Sequence, residues 1–233
     1  MATSDHRPPS AVRSSAAWQT QTMPSPDPRQ SSPAAERNKA AIADQLERLL
    51  QPTGRLLEIA SGTGQHAVFC AARLPGWTWQ PTDPDAASLL SISAWAASCP
   101  APGLQMPRQL DVVSTPWFVE PENAAGWDAI FCANMLHIAP WACCAALMRG
   151  AAKALSPQGL LITYGPYLEQ GVATAPGNQN FDADLRARDP RWGLRWLHEV
   201  TAEANAAGLR LRERVAMPAN NQILVFMPAL AGA

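Results

Sequence analysis

Residues 55–60 (RLLEIA) end on Ser61-Gly62-Thr63-Gly64 and pass at once into helix-patterned sequence that continues to Arg73. A buried strand that becomes a helix within four residues needs glycines there, because the backbone must bend sharply and approach whatever it faces. In open α/β sheets such a turn lies at the carboxyl end of a strand, where ligands bind.

The rest of the chain repeats this alternation. Ile42, Leu46, Leu49 and Leu50 have the spacing of an amphipathic helix that ends at Pro52-Thr53-Gly54, and order is expected to begin near Glu36. Strands are predicted over residues 77–81, 109–112, 127–133 and 159–164, and helices over 86–98, 140–155 and 192–207, with Gly208 as a C-terminal stop. Residues 209–217 and 223–227 read as two strands, and so short a connection makes them an antiparallel hairpin. The fold class is therefore α/β: a Rossmann-like three-layer sandwich whose largely parallel sheet ends in one antiparallel hairpin. Residues 1–35, rich in Ser, Pro, Gln and Arg, are expected to form a disordered tail, and residues 36–233 a single domain.

Composition removes several function classes. A net charge of −1 and a pI near 6.4 give no basic footprint for nucleic acid or an anionic membrane surface. No apolar run reaches the roughly 20 residues of a spanning helix. Five cysteines, an odd number with no C-x-x-C pair, argue against a disulfide scaffold and a zinc site, and for a reducing, cytoplasmic setting; no metal is expected.

Three acids qualify the glycine turn. Asp83 lies 19 residues beyond Gly64 at the end of the second strand, where an acid accepts from the hydroxyls of an adenosine ribose. Asp111 ends the third strand, placed to accept from an adenine amino group. Glu58 lies in the strand before the glycines, where a buried acid is useful if the ligand carries positive charge. The stretch Gly62 to Ala67 also fits the dinucleotide pattern G-x-G-x-x-A, which keeps an NAD-type oxidoreductase as an alternative. An acid in the preceding strand repels a pyrophosphate, however, and suits the sulfonium and ammonium of S-adenosylmethionine. The simpler roles are a tight turn for the glycines, an arginine pair (Arg37 or Arg55) for Glu58, and a cap for Asp83, although Asp85 is the more natural cap.

Several stretches together resemble the methyltransferase-like protein 26 family. They are ERNKAAI (36–42), LEIASGTGQHAVFCAARLP (57–75), WQPTDPD (79–85), LDV (110–112), DAIFCANMLHIAPW (128–141), YGPY (164–167), RDPRWGLRWL (188–197) and MPANNQILVF (217–226). The resemblance implies a class I S-adenosylmethionine-dependent methyltransferase with strand order 3-2-1-4-5-7-6 and an undefined acceptor, by this reading a small molecule. The predicted donor site comprises Glu58, Ala60, Ser61, Gly62, Thr63, Gly64, His66, Asp83, Pro84, Asp111, Val112 and Asn134. Asn134 and His137 follow the fourth strand, where donor and acceptor meet, and His137 is the candidate general base; its simpler role is to orient the loop. Arg37, Lys39, Tyr164, Tyr167, Asn178 and Arg188 are candidate acceptor-binding residues. Asn38, with Arg37 and Lys39, is expected to fold over the donor site. The arginines of residues 186–195 are matched by Asp182, Asp184 and Asp189, so a solvated, salt-bridged segment is expected there. A domain that binds the donor without turning it over is the remaining alternative.

Overall fold

Burial on both faces decides where the central strands lie. In β1 (Gly54–Ile59) Leu57 and Ile59 enter one apolar core and Leu56 the other, a pattern only a strand covered by helices on each side can satisfy. The structure, a computed structural model, describes residues 27–114, 116–117 and 126–229. After β1 come α2 (Gln65–Arg73), β2 (Trp77–Asp83), α3 (Ala86–Ser98), β3 (Arg108–Gln109), β4 (Trp127–Ala133), α4 (Ala142–Ala154) and β5 (Leu155–Gly165). The chain closes with β6 (Tyr167–Leu168), α5 (Pro176–Arg188), β7 (Arg195–Trp196), α6 (Leu197–Ala206), β8 (Leu209–Met217) and β9 (Asn221–Pro228).

The sheet runs β3-β2-β1-β4-β5-β9-β8, parallel throughout except where β9 pairs antiparallel with β5 and β8. The expected 3-2-1-4-5-7-6 order is recovered when β6 and β7, which pair with each other in a separate two-stranded parallel sheet, are left out of the count. Helix α1 (Pro33–Leu49) and α2 cover one face, with Ile42, Leu46, Ala67 and Cys70 packed on Trp79, Phe131 and Val225. Helices α4 and α6 cover the other, with Leu147, Met148 and Val200 on Leu57, Ile130 and Leu161.

Local differences from the sequence reading have physical causes. Helix α1 starts three residues before Glu36, because Ser32 caps it through Ala35 N–H and Pro33 occupies the first turn. Ahead of it Gln30 N–H donates to Ser91 Oγ, Trp95 Nε1 donates to the Gln30 carbonyl, and Arg29 stacks on Trp95. Residues 29–35 of the expected tail thus take part in these contacts and in α1, and its residues 1–26 lie outside the described residues. Strand β3 (Arg108–Gln109) keeps only Gln109 of the predicted 109–112, because the chain turns at Asp111, which accepts Val113 N–H and Ser114 N–H. The predicted helix over 192–207 begins only at Leu197: Gly193 has φ +136, and Arg195–Trp196 pair with Tyr167–Leu168. Gly208, at φ +85, stops that helix as expected.

Candidate functional site

The glycine turn is held from behind by β2. Ser61 N–H donates to the Thr82 carbonyl, Thr82 N–H to Ser61 Oγ, and Thr82 Oγ1 to the Glu58 carbonyl. Gly64 cannot carry a Cβ without meeting the Ile92 backbone at 2.8 Å, so α3 packs directly on the turn. Gly62, at φ +56, faces open space, with no atom within 4 Å of the Cβ position. Ala60 shares this left-handed conformation, at φ +54, where a side chain is strained.

Glu58 lies under this turn, fully buried. Its Oε2 accepts Trp79 Nε1 at 2.8 Å, and the Ser61 hydroxyl also favours the carboxylate. Both partners are neutral, and burial outweighs them, pushing the carboxyl up to about 7. The simpler arginine pairing does not form with Arg55, whose guanidinium stacks on Trp127.

Asp83 is buried at the end of β2 and accepts Gly62 N–H on Oδ2 at 2.9 Å and Asp85 N–H on Oδ1 at 3.0 Å. Capping of α3 belongs to Asp85, which accepts Ser88 N–H. Pro84 and Asp111 come together on one cleft of about 430 Å³ with Gln109, Leu110, Ser114 and Trp117. Val112 points into the core, and its carbonyl accepts Trp117 Nε1.

Helix α1 closes the other side of the turn. His66 Nε2 is 2.7 Å from Asn38 Oδ1; burial, with the nearby Lys39 ammonium, pulls its pKa down to about 4. The Tyr164 hydroxyl lies against the same Asn38 side chain, with burial raising its pKa. Gln65 ties the turn to the start of α1, accepting Ser32 N–H and the Thr63 hydroxyl and donating to Glu36. Asn38 of α1 thus lies against His66 and Tyr164, beside the glycine turn. Lys39 pairs with Glu36 and lies over Phe69, and Arg37 is exposed.

Beyond β4 the chain makes a tight loop in which Asn134 sits at φ +61 and donates its N–H to the Tyr164 carbonyl at 2.8 Å. His137 is fully buried. Its ring meets Tyr167 edge-to-face at 5.1 Å, and a Cβ on Gly165 would lie 2.3 Å from its Nε2. Neither ring nitrogen has a partner at hydrogen-bonding geometry, although the Gly193 backbone lies close enough to favour the protonated ring weakly. Burial and the Arg195 charge outweigh that and pull the imidazole down to about 3, so it is neutral.

The six candidate acceptor residues do not converge on one place. Tyr167 and Asn178 line a cleft of about 500 Å³ with Glu169 and Arg214, and Asn178 Nδ2 donates to the Asn220 carbonyl across it. The Tyr167 hydroxyl is engaged with Thr163 Oγ1 at 2.9 Å. Tyr164 belongs to the Asn38 cluster, and Arg37 and Lys39 sit on α1. Arg188 is away from both clefts: it pairs with Asp184 on the exposed side of α5 and stacks on Trp192. Sequence reasoning passed over Gln65, Trp79, Gly165 and Arg195. Only Gln65, adjacent to the glycine motif, carried a local signal.

A family model described as "Protein of unknown function (DUF938)" matches residues 29–228. Among solved structures, the chain is similar to the mitomycin 7-O-methyltransferase MmcR at 15% identity, covering 84% of this chain and 55% of that one, with a TM-score of 0.69. It is similar to an O-methyltransferase family 2 protein from Planctomyces limnophilus, solved with apigenin, at 16% identity, covering 84% and 60%, with a TM-score of 0.70. The CcbJ methyltransferase from Streptomyces caelestis matches at 16% identity, over 82% of this chain and 90% of that one, with a TM-score of 0.63. The chain therefore has the Rossmann-like fold of class I methyltransferases, and it spans little more than half the length of the first two.

Proposed function

The chain belongs to the DUF938 family, and from that premise we propose that it is an S-adenosylmethionine-dependent methyltransferase of the methyltransferase-like protein 26 type, acting on a small-molecule acceptor. The observation that carries the reading is Glu58, a buried carboxyl beneath a glycine turn with only neutral partners. Such a group opposes a pyrophosphate at the start of α2 and favours a cationic ligand, which would draw it into its charged form. The open space at Gly62 leaves the turn free to receive that ligand.

S-adenosylmethionine, when bound, would supply a methyl group activated on a sulfonium and suited to in-line displacement by the acceptor. The residues that would hold it are Glu58, the turn from Ala60 to Gly64 and His66 at its amino-acid end, Asp83 and Pro84 at the ribose, and Asp111 and Val112 at the adenine. Asn134 would stand where donor and acceptor meet. The protein's part is alignment and the exclusion of water, worth roughly 7–11 kcal/mol when two reactants are held in attacking geometry. Tyr167 and Gly165 wall off His137, and burial with the Arg195 charge keeps its ring neutral and weakly basic, so its part would be to shape the loop after β4, with alignment and not a base carrying the reaction. Tyr167 and Asn178 give the acceptor its cleft, and the free thiols fit an enzyme of the cytoplasm.

The test is isothermal titration with S-adenosylmethionine, S-adenosylhomocysteine and NAD(H). Binding of the sulfur nucleosides in the micromolar range supports the reading. Binding of NAD(H) alone would return the G-x-G-x-x-A pattern to a dinucleotide and sink it. Donor binding without turnover across hydroxyl, amine and thiol acceptors would leave a silent donor-binding domain.

A further inference from the structure

The arginines of residues 186–195 are not one solvated group. Arg186, Arg188 and Arg191 pair with Asp182, Asp184 and Asp189 as the charge balance suggests. Arg195, half-buried, instead spends its guanidinium on main-chain carbonyls. Its Nε donates to Leu136 O at 2.8 Å, and its Nη2 to Ala139 O at 2.7 Å and Arg191 O at 2.8 Å. Two residues earlier, Gly193 N–H donates to the His137 carbonyl at 2.9 Å. Three carbonyls of the loop after β4 are thus held by one short segment from the far end of the chain.

That segment is itself fixed. Arg195 pairs with Tyr167 in the β6–β7 ladder, and Leu194 N–H donates to Asp182 Oδ1 at 2.7 Å. Gly193 must lack a side chain, since at φ +136 a Cβ would lie 2.7 Å from both Asp182 Oδ1 and Arg186 Cζ. A planar fork with several donors can span carbonyls in this way, and an ammonium cannot.

We infer that Arg195, seated by Gly193, is a positioning residue that locks the loop carrying Asn134 and His137 and ties it to Tyr167. The inference rests on the methyltransferase reading for what the loop does, not for how it is held. The same guanidinium opposes protonation of His137; the other charged or titratable groups facing that ring are Asp182 from α5, which favours the proton, and Tyr167 from β6.

The experiment follows His137 by NMR between pH 4.5 and 8 in the full chain, with its signals identified by their loss in His137→Asn. S-adenosylhomocysteine affinity is measured alongside by titration calorimetry. The variants are Arg195→Gln, Arg195→Lys and, as a control on an exposed strand position, Arg210→Ala. In wild type and control His137 should stay silent. In Arg195→Gln its ring signals should shift and broaden as the loop loosens, and the affinity should fall roughly tenfold, as for a lost charged hydrogen-bond set. Arg195→Lys should keep the ring silent and recover only part of the affinity. His137 ring signals that stay at their wild-type positions, or an unchanged affinity, in a folded Arg195→Gln overturns the inference. If that variant does not fold, wild-type affinity in Arg195→Lys overturns it. A wild-type protein that ignores S-adenosylhomocysteine while His137 responds to Arg195→Gln sinks the methyltransferase reading and leaves the clamp standing.

Discussion

Replacing Glu58 with glutamine should stabilise the protein, and more so as the pH rises. The folded chain holds the Glu58 proton up to about 7, whereas the ordinary value for the carboxyl is 4.5. A group whose pKa is raised on folding contributes stability that is fully present below the unfolded value and is lost as pH climbs through the folded one. For Glu58 the loss begins near pH 4.5 and levels off above pH 7, at about 3 kcal/mol, since each tenfold change in proton affinity is worth about 1.4 kcal/mol. Glutamine does not titrate, and its amide oxygen can keep the bond from Trp79 Nε1. Urea unfolding at pH 5.5 and pH 8.5 should therefore show the advantage of Glu58→Gln over the wild type growing by about 2 kcal/mol across that interval. Other titrating groups cancel in the difference between the two proteins. An advantage that stays flat with pH would refute the argument, because it would mean that the buried carboxyl ionises in the folded state as easily as in the unfolded one. The same variant should bind S-adenosylmethionine more weakly while losing less for the uncharged thioether product.

Asp83→Ala removes the acceptor of Gly62 N–H together with the proposed ribose contact, so donor affinity should fall by roughly tenfold to a hundredfold; calorimetry showing wild-type affinity would take Asp83 out of the site. Gly165→Ala puts a methyl 2.3 Å from His137 Nε2, and overpacking there should cost about 1–3 kcal/mol in urea unfolding; a neutral result would mean that the ring has room to move. Ala60→Gly relieves a left-handed alanine at φ +54, and relief of about 1–2 kcal/mol against roughly 0.5–1 kcal/mol of glycine entropy predicts a small gain in thermal stability. A clear loss would show that the methyl group itself packs usefully.

What the sequence made legible was whatever is built locally. Strand β1, the glycine turn and α2 follow one another without interruption, and Asp83 closes β2 at a readable spacing from the glycines, whereas Asp111, read as the end of the third strand, lies two residues beyond it. Helix α5 was missed because it lacks an apolar stripe: Leu185 is its only buried residue among those described, and the helix is supported instead by Arg186–Asp182 and Arg188–Asp184 pairs one turn apart. The pairing of those arginines was readable from charge balance. The burial of Arg195 among backbone carbonyls was not, because a carbonyl is the same at every residue and leaves no trace in the sequence.

This difference follows the two halves of the site. The proposed donor half draws on β1, β2 and the connections beside them, with Asn38 of α1 covering it and Gln65 tying the turn to the start of α1. The proposed acceptor side draws on the loop after β4, the end of β5, the start of α5, β7 and the turn before β9, segments far apart along the chain. Its His137 is buried without a partner, its Tyr167 is committed to Thr163, and its shape depends on a guanidinium more than 50 residues away. On the methyltransferase reading, the donor is met by short motifs that lie close together along the chain. The second half has no such template, since each acceptor demands its own cleft, and its geometry is carried by tertiary contacts. On the methyltransferase reading, acceptor identity is best pursued by perturbing Asn178, which lines the cleft, and Gly165 and Arg195, which hold His137 and its loop behind Tyr167, and observing which acceptors are gained or lost.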